Sequence, residues 1–534
     1  MKKFKVNKEK IKNLWIVRFF YKYKIKLSNF LWTIVRTIGK IRFLFLVYFL
    51  IILIATLFLY SPLAQKDRLN FLDTFFTSIS AFSVTGLQIN NIDDNFNVFG
   101  QIIIALLIII GGVGFFALKI YFFNFLLKRS PTIFENELLS IERGAKNKQT
   151  LKGTVVVSIT LIFSLILISS FIFTMILYFQ KPTFDIKNNS YHNFSLSLRY
   201  GVFHAISSIN NAGFGIINEN SLAPYYDNYF LQILTLFLFI IGGIGYPVIY
   251  DLYLWYKNKI KKDENNAFKF SLFTKISLFT YFFLALIGII FVLYFEISSI
   301  DSNSFWNKSH SDVNYYHYIN NNNVKSPYNY GNKTQKVWAL IFMVFSSRNA
   351  GISTFDLYDL TDSSLLIVSI LMFIGASPSS TGGGIRTTTF ALIFITIFSR
   401  MVGKEQTNVF KKKIKDSTVM QAIIIFCSAI ILFFISLIII ITSLDTHGGH
   451  IQTNIEAGKR HYNILRVIFE ISSAFGTTGF SIGIINKLNA LSKIIFMILM
   501  FIGQIGIFST ILIWGYHNTK IRKINYVEDD ILIG

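Results

Sequence analysis

Cysteine and charged residues are both scarce in this sequence. The single cysteine, Cys427, lies inside an apolar run, so no intrachain disulfide can form and a buried thiol is expected. Charged residues make up 15% of the 534 positions, whereas hydrophobic residues make up 53% and phenylalanine alone occurs 57 times. This composition lies far outside that of soluble globular proteins. It indicates an integral membrane protein.

Several motifs that identify enzymes and nucleotide-binding domains are also missing. The sequence has no G-x-x-x-x-G-K-[ST] phosphate loop and no convincing G-x-G-x-x-G after a strand, which argues against an ATP-driven pump. No His, Asp and Glu group has metal-ligand spacing, and no Ser–His–Asp set converges within the apolar runs. A membrane enzyme or assembly scaffold is the alternative class of protein, but this sequence lacks the catalytic cluster that such a protein would need. We therefore expect no enzymatic activity and no cofactor in this chain.

Apolar runs that could cross a bilayer recur along the chain. A spanning helix needs about 20 predominantly apolar residues, and runs close to that length occur at 43–59, 155–177, 231–249, 278–295, 422–442 and 494–514. The basic segment 1–42 has no short apolar stretch followed by a small-residue cleavage site, so no cleavable signal peptide is expected.

The net charge of +23 follows a topological pattern. Basic residues concentrate at 1–42, 128–152, 257–275, 400–415 and 520–523, which are the two ends of the chain and alternate loops between the spans. Cytoplasmic loops of membrane proteins carry such an excess of Lys and Arg. Membrane topology therefore explains the charge better than nucleic-acid binding does. Eight spans would place both termini in the cytoplasm.

Four similar glycine-containing strings recur at roughly even spacing. Each follows a short, partly polar stretch that cannot span a bilayer, and each precedes another apolar run. The strings are Phe82-Ser83-Val84-Thr85-Gly86-Leu87, Ile209-Asn210-Asn211-Ala212-Gly213-Phe214, Ser347-Arg348-Asn349-Ala350-Gly351-Ile352 and Phe475-Gly476-Thr477-Thr478-Gly479-Phe480. The pattern predicts four units of span, re-entrant pore helix, glycine turn and span.

We interpret the four glycine turns as parts of one ion filter. Non-helical backbone inside a bilayer must be buried in protein or line a wet cavity, and rings of main-chain carbonyls can replace the hydration shell of a monovalent cation. Glycine accepts unusual dihedral angles there, and the C-terminal ends of the pore helices favour a cation. Potassium would bind at backbone carbonyls only, and the predicted filter residues are Val84, Thr85, Gly86, Asn211, Ala212, Gly213, Asn349, Ala350, Gly351, Thr477, Thr478 and Gly479.

Close helix packing is the alternative reason for such glycines. This packing explanation is less favoured when four glycines occupy the same position in four repeats. It is the favoured reason for the glycines within the second spans, Gly111, Gly112, Gly242, Gly243 and Gly503. Two polar residues on the pore helices, Glu470 and His204, are expected to hold those helices by hydrogen bonds rather than to bind ions.

The second span of the third unit is interrupted between residues 375 and 389. Proline removes a helical donor, and three consecutive glycines disfavour a helix. An irregular loop at this depth should lie in the wet cavity below the filter, where it could block the path and move aside. The predicted gate residues are Ser377, Pro378, Gly382, Gly383, Gly384 and Arg386.

Two arginines lie in or near these predicted sites. Arg386 carries a charge beside the gate loop, and an ionisable group at membrane depth suggests a function. The alternative is that Arg386 snorkels to the cytoplasmic face. Arg348, in the third string, would repel potassium if it faced the ion. Its side chain is therefore expected to point behind the filter, toward a carboxylate such as Asp356 or Asp359.

Taken together, these features resemble the Trk/Ktr/HKT superfamily of cation transporters. The resemblance rests on the four units, the four glycine strings and the loop 377–389, and it covers the chain from Arg42 to Tyr516. The sequence is most similar to the membrane subunit of bacterial Ktr potassium uptake systems. The resemblance implies a homodimer with one pore per protomer. It also implies a cytoplasmic ring of nucleotide-binding, KtrA-like regulatory subunits that control the gate loop.

The resemblance also bears on selectivity and gating. Relatives that favour sodium often have serine at the first filter glycine, so Gly86 and its three counterparts match the potassium-favouring pattern. Relatives often carry arginine where this chain has Gln504, next to the gate loop, and Arg386 is the candidate to compensate for its loss. The Asn- and Tyr-rich segment 298–336 is a further departure and is expected to form a loose extracellular loop.

The sequence thus predicts an all-α membrane protein of four tandem span–pore-helix–span units, with eight transmembrane helices and four re-entrant pore loops around a pseudo-fourfold pore. The chain begins with a basic cytoplasmic segment, 1–41, and ends with a cytoplasmic tail, 518–534. The four units between them are 42–127, 128–256, 257–401 and 402–517. The second unit includes a cytoplasmic linker at its start, and the third contains the broken second span and the gate loop. The predicted function is potassium uptake across the plasma membrane. A sodium-selective or poorly selective transporter of the same fold is the alternative. Membrane lipid is an expected partner and nucleic acid is not.

Overall fold

The fold is mostly helical. The computed structural model describes residues 38–127, 132–143, 148–183, 189–217, 222–261, 268–302, 304–308, 316–317, 324–325, 330–446 and 463–514. The chain divides into two compact units. One is Phe49–Ile507, which contains all four glycine strings, and the other comprises Met1–Tyr48 and Phe508–Gly534.

One long apolar helix begins each predicted repeat. The four are Lys40–Tyr60, Lys148–Phe179, Leu272–Ile297 and Asp416–Thr446. Each contains a stretch long and apolar enough to cross a bilayer. Large apolar side chains such as Leu57, Phe171 and Phe279 are more than half exposed on them, as expected for helices that face lipid. Cys427 also lies on such a helix and is exposed, so the prediction of a buried thiol is wrong.

A shorter helix follows each long one and runs directly into a glycine string. These glycine-turn helices have 12 to 17 residues, so they reach about 18–26 Å and do not cross a hydrocarbon core of about 30 Å. Several start at asparagine caps: Asn193 accepts from the amide of Leu196, and Asn463 from that of Arg466. The four are Phe71–Phe82, Phe194–Asn210, Lys333–Ser346 and Ile464–Gly476.

The helical region after each glycine turn is bent or broken. The first two such pairs bend by 91° and 103°. Gly114 and Gly245 occupy these bends with φ of +91° and +89°, and Gly506, at +97°, ends the equivalent helix in the fourth repeat. In the third repeat residues 374–386 separate the two helices. The pairs are Val98–Val113 with Phe115–Leu127, Tyr229–Ile244 with Tyr246–Lys261, Asp362–Phe373 with Thr387–Met401, and Ala490–Ile505 with Ile507–Trp514.

These breaks affect the count of spans. By length and composition, the described residues contain four helices that can cross a bilayer, or six if each bent pair is one span. The interruption in the third repeat agrees with the sequence prediction, whereas the apolar runs 231–249 and 494–514 predict continuous helices. That prediction is wrong, because Gly245 and Gly506 have positive φ and end the helices before them. Eight spans stay a prediction.

Small elements complete the described chain. The other helical elements are Ile92–Asn95, Ile133–Arg143 and the short 3-10 turns Ala223–Tyr225, Leu357–Asp359 and Ile485–Lys487. Two antiparallel hairpins pair Tyr316–His317 with Val324–Lys325, Tyr316 opposite Lys325, and Asn408–Val409 with Lys412–Lys413, Asn408 opposite Lys413.

Part of the Asn- and Tyr-rich segment packs tightly against the residues that follow the third glycine string. The Phe305 ring is fully buried and stacks on Phe355, with 4.1 Å between ring centroids. The Phe305 amide donates to the Asp359 carbonyl at 2.7 Å, and Lys308 forms an ion pair with the Asp359 carboxylate at 2.5 Å. The expectation of a loose loop is therefore wrong for residues 304–308.

Candidate functional site

The four glycine strings meet at one place. A methyl group on Gly213 would lie 3.1 Å from the carbonyl oxygens of Ala350 and Thr478 and 3.2 Å from that of Thr85. One point beside the second string is therefore close to main-chain oxygens from the other three strings.

The other three glycines lie even closer to a neighbouring repeat. A side chain at any of them would collide with main-chain atoms, because real Cβ atoms essentially never approach another atom within 3.0 Å. The close approaches join repeats one to two, three to four and four to one. The distances from an ideal Cβ are 2.3 Å from Gly86 to the Ala212 oxygen, 1.8 Å from Gly351 to the Thr478 oxygen and 2.1 Å from Gly479 to the Thr85 oxygen.

The backbone of the strings alternates in the sign of φ. The four glycines have φ between +64° and +93°, and the residue two positions earlier is also positive in every string. Alternation of this kind rotates successive peptide planes so that neighbouring carbonyls can face the same side. Val84 is notable because a β-branched residue rarely adopts positive φ. The residues concerned are Val84 at +56°, Asn211 at +58°, Thr477 at +49° and Asn349 at +156°.

The amide hydrogens of the strings point back to the helices that precede them. In three strings the residue before the glycine donates to the carbonyl of a serine five positions earlier, and in the third string Ala350 donates to Ser346, four positions earlier. These bonds satisfy the donors and leave the carbonyls available at the meeting point. The other three pairs are Thr85 to Ser80 at 2.9 Å, Ala212 to Ser207 at 2.8 Å and Thr478 to Ser473 at 2.9 Å.

The serine shared by these helices is a feature that the sequence patterns did not single out. It stands six positions before the glycine in three strings and five before it in the third. In the fourth string its hydroxyl also accepts from the Gly479 amide at 3.1 Å, and in the third from the Ile352 amide at 2.9 Å. Within the described ranges no group of three or more His, Cys, Asp or Glu could hold a metal ion. The three oxygens nearest to a Cβ on Gly213 are those of main-chain carbonyls.

The loop 374–386 lies directly against two of the strings. The Gly383 amide donates to the Thr477 hydroxyl at 2.7 Å. A Cβ on Gly382 would lie 2.5 Å from the Asn349 side-chain nitrogen, and that nitrogen donates to the Gly476 carbonyl at 3.1 Å. The loop thus contacts the residues two positions before the glycines of the third and fourth strings.

The same loop is tied to the helices that follow the second and fourth strings. The amides of Ser377 and Thr381 donate to the Gly243 and Gly242 carbonyls, each at 3.2 Å, and the Gly384 amide donates to the Gly503 carbonyl at 3.1 Å. Pro378 packs beside Gly245, where a Cβ would lie 2.6 Å from the Pro378 oxygen. The predicted gate residues therefore form one connected segment beside the strings.

Arg386 and Gln504 hold the far end of this loop. One guanidinium nitrogen of Arg386 donates to the Gln504 carbonyl at 3.0 Å, and another donates to the Gly382 carbonyl. The Gln504 amide donates to the Thr381 carbonyl at 3.0 Å and to the Gly111 carbonyl at 3.4 Å. The Arg386 side chain therefore folds onto the loop. The snorkelling alternative requires a side chain that extends away from the loop, and the structure does not show this.

Arg348 points behind the third string, as expected, but its partners differ from the expectation. It is 1% exposed and donates to three main-chain carbonyls, those of Leu371 at 2.8 Å, Ile374 at 2.6 Å and Gly375 at 3.0 Å. Its predicted pairing with a carboxylate is wrong. Of the two candidates, Asp356 caps the amide of Tyr358, and Asp359 pairs with Lys308.

The packing prediction is confirmed for most glycines of the second spans. A Cβ on Gly111, Gly242 or Gly503 would lie within 1.7–2.1 Å of a main-chain oxygen near the end of its own glycine-turn helix. Gly112 is similarly close to the Asn210 side chain, whereas the nearest neighbouring atom to a Cβ on Gly243 would lie at an ordinary 3.5 Å. At Gly243 the packing therefore does not require a glycine.

The two polar residues of the glycine-turn helices make the expected hydrogen bonds. One Glu470 oxygen accepts from the Ser481 hydroxyl and from the Ile482 amide, both at 2.8 Å. The His204 ring shares a hydrogen bond of 3.0 Å with the Thr235 hydroxyl. These contacts hold the glycine-turn helices against the chain that follows each string.

The chain is similar to several known proteins. Residues 26–517 match the TrkH family, described as cation transport protein. The Ktr system potassium uptake protein D of Bacillus subtilis (strain 168) is 31% identical over 94% of this chain and 98% of its own length. The potassium/sodium uptake protein NtpJ of Enterococcus hirae is 25% identical over 91% and 95%. The crystal structure of the potassium transporter TrkH from Vibrio parahaemolyticus has a TM-score of 0.54 and 15% identity over 83% of this chain and 78% of that one, which shows the fold alone.

Proposed function

The chain belongs to the TrkH family of cation transport proteins, and from that premise we propose that it takes up potassium across the plasma membrane. One observation carries the proposal: carbonyl oxygens of Thr85, Ala350 and Thr478 lie within 3.2 Å of a single point beside Gly213. Rings of main-chain carbonyls stand in for the water around a potassium ion. The Bacillus subtilis relative, a potassium uptake protein by name, supports the same ion.

In this proposal the four strings form the selectivity filter. Each glycine and the two residues before it supply one quarter of the lining, and potassium binds only to their backbone carbonyls. The four glycine-turn helices end at the strings, so the partial negative charge at each helix C-terminus favours a cation there. Eight spans and four re-entrant loops around a pseudo-fourfold axis give this arrangement.

The loop 374–386 is the proposed gate. Its bonds to Thr477, Gly503 and the helices of the second repeat hold it beside the filter, which is a closed arrangement. Opening would break these bonds and those from Arg386 to the Gly382 and Gln504 carbonyls. Because Gln504 donates to the Thr381 carbonyl, a neutral amide can fasten this end of the loop while Arg386 supplies the charge.

Uptake would be driven inward by the membrane potential, which contributes about 2.3 kcal/mol per charge at 100 mV. The proposed topology has both termini in the cytoplasm. The proposed assembly is a homodimer in the lipid bilayer, regulated by a cytoplasmic nucleotide-binding subunit. The named Ktr system relatives support a regulatory partner of this kind.

A sodium-selective or poorly selective transporter is the second candidate. It is favoured by the Enterococcus relative, which is named a potassium/sodium uptake protein. Glycine at all four filter positions favours potassium instead.

Uptake of Rb⁺ and Na⁺ into vesicles containing the purified protein separates the two candidates. We expect Rb⁺ uptake that exceeds Na⁺ uptake, and a Gly86→Ser variant with a lower Rb⁺/Na⁺ ratio. The same chain should support growth of a potassium-uptake-deficient bacterium on low potassium. Equal uptake of the two ions by the wild type would favour the second candidate, and uptake of neither would refute both.

A further inference from the structure

Arg348 presents an unusual electrostatic arrangement. Its guanidinium is buried, and among the described residues no carboxylate lies within salt-bridge distance. Burying a charge without a partner is costly. The compensation comes from the Leu371, Ile374 and Gly375 carbonyls and from the Tyr281 ring, whose centroid lies 5.6 Å from the guanidinium carbon.

Those three carbonyls mark the place where the helix Asp362–Phe373 ends and the loop begins. The last carbonyls of a helix have no partner within the helix, and they carry its partial negative charge. Near a cation filter, such a cluster of oxygens would attract the transported ion. The guanidinium of Arg348 occupies these oxygens, and its positive charge repels a cation from them.

The same residue belongs to the third string. Arg348 is bonded to Asn349, the first of the three proposed filter residues of that string, and its amide donates to the Phe345 carbonyl of the glycine-turn helix at 3.2 Å. One side chain therefore joins the backbone of the third string to the first residues of the loop. At the far end of the loop, Arg386 donates to the Gly382 and Gln504 carbonyls.

We propose that Arg348 is a positioning residue that couples the filter to the loop. Because its guanidinium holds Ile374 and Gly375, the third string and the start of the loop move together. Displacement of the loop then alters the filter, and the ion in the filter alters the position of the loop. The coupling rests on the proposed function, since it needs a filter that holds an ion.

Two variants at opposite ends of the loop test the coupling. Arg348→Gln removes the charge and the reach to three carbonyls, so we expect higher Rb⁺ flux without any regulatory subunit and a Rb⁺/Na⁺ ratio at least about threefold lower. Arg386→Gln is the comparison at the other end of the loop: it removes the bonds to Gly382 and Gln504 and leaves Arg348 in place. We therefore expect flux to rise and the ratio to fall much less than in Arg348→Gln. Arg348→Lys keeps the charge and should restore part of the ratio.

A second measurement does not depend on flux. The Ser379→Cys variant, in a Cys427→Ser background, reports on the loop through the rate at which a thiol reagent modifies the introduced thiol. By reciprocity of linked equilibria, this rate should differ by a factor of two or more between potassium and an impermeant organic cation. Arg348→Lys should reduce the difference. The Arg348→Lys measurement also tests the coupling if Arg348→Gln does not fold.

The outcomes separate the two claims. Wild-type protein that carries neither ion refutes the proposed function. Wild-type protein that carries Rb⁺, with an unchanged ratio in Arg348→Gln or an ion-independent modification rate at Ser379, overturns the coupling and leaves the proposed function intact.

Discussion

Adding one methyl group to each filter glycine should damage uptake in an order that the structure fixes. An ordinary contact needs about 3.4 Å. The Cβ of Gly351→Ala would lie 1.8 Å from its nearest oxygen, so the strings must separate by roughly 1.6 Å. The Cβ of Gly213→Ala would lie 3.1 Å away, and a shift of about 0.3 Å suffices. Gly479→Ala and Gly86→Ala, at 2.1 and 2.3 Å, fall between them.

Two energies contribute to the damage. Left-handed backbone costs a non-glycine residue about 1–2 kcal/mol, and this term is similar in all four variants. Overpacking adds about 1–3 kcal/mol where the methyl collides. Gly351→Ala should therefore lose about 2–5 kcal/mol, or roughly 30-fold to several thousand-fold in uptake, whereas Gly213→Ala should lose about tenfold.

Rb⁺ uptake into vesicles, normalised to folded protein, measures this order. Gly403→Ala is the matched control, because Gly403 has φ of +75° and no atom within 4 Å of its ideal Cβ. It carries similar backbone strain but lies outside the four strings, so it should transport like the wild type. If Gly213→Ala lowered Rb⁺ uptake as much as Gly351→Ala does, the close approach of the strings would not be the reason that side chains are excluded at these positions.

Three further changes test other contacts. Deleting Gly382–Gly384 should raise Rb⁺ flux because it removes the part of the loop that touches the filter; unchanged or abolished flux in folded protein would contradict the gate. Thr477→Val removes the acceptor of a loop amide, a bond worth about 1 kcal/mol, so flux without a regulator should rise about fivefold, and a fall would count against the closed arrangement. Phe305→Ala empties a fully buried site and should lower the unfolding free energy by about 3–5 kcal/mol. Thermal denaturation measures it beside Phe279→Ala, which is 66% exposed and should change little.

The repeats and the strings were predictable because their signal is local. Each string combines glycine with a preceding short helix, and four copies in phase favour a shared lining over helix packing. The break in the third repeat was equally visible, since proline and three glycines stand together. Residues that need no distant partner to be recognised were therefore found.

The bends and the partners of Arg348 were not predictable in the same way. Gly245 and Gly506 are isolated glycines next to apolar residues, and nothing in their neighbourhood distinguishes a bend from a packing contact. Arg348 was assigned to a carboxylate because buried arginines usually pair with one. Its real partners are carbonyls made available by a break 26 residues further along the chain, and only the tertiary structure brings them together.

The third string is one residue shorter than the others between its serine and its glycine, and Asn349 accordingly has a φ of +156° where its counterparts lie near +50°. In the proposed filter, three of the four strings would then be alike and the third would differ. We expect a cation in such a filter to lie at unequal distances from its oxygens. Selectivity between ions would then not depend on a close fit of the cavity to one ionic radius. It would depend on the number and field strength of the coordinating oxygens. Such a filter should treat Rb⁺ and Cs⁺ much as it treats K⁺, while still rejecting the more strongly hydrated Na⁺.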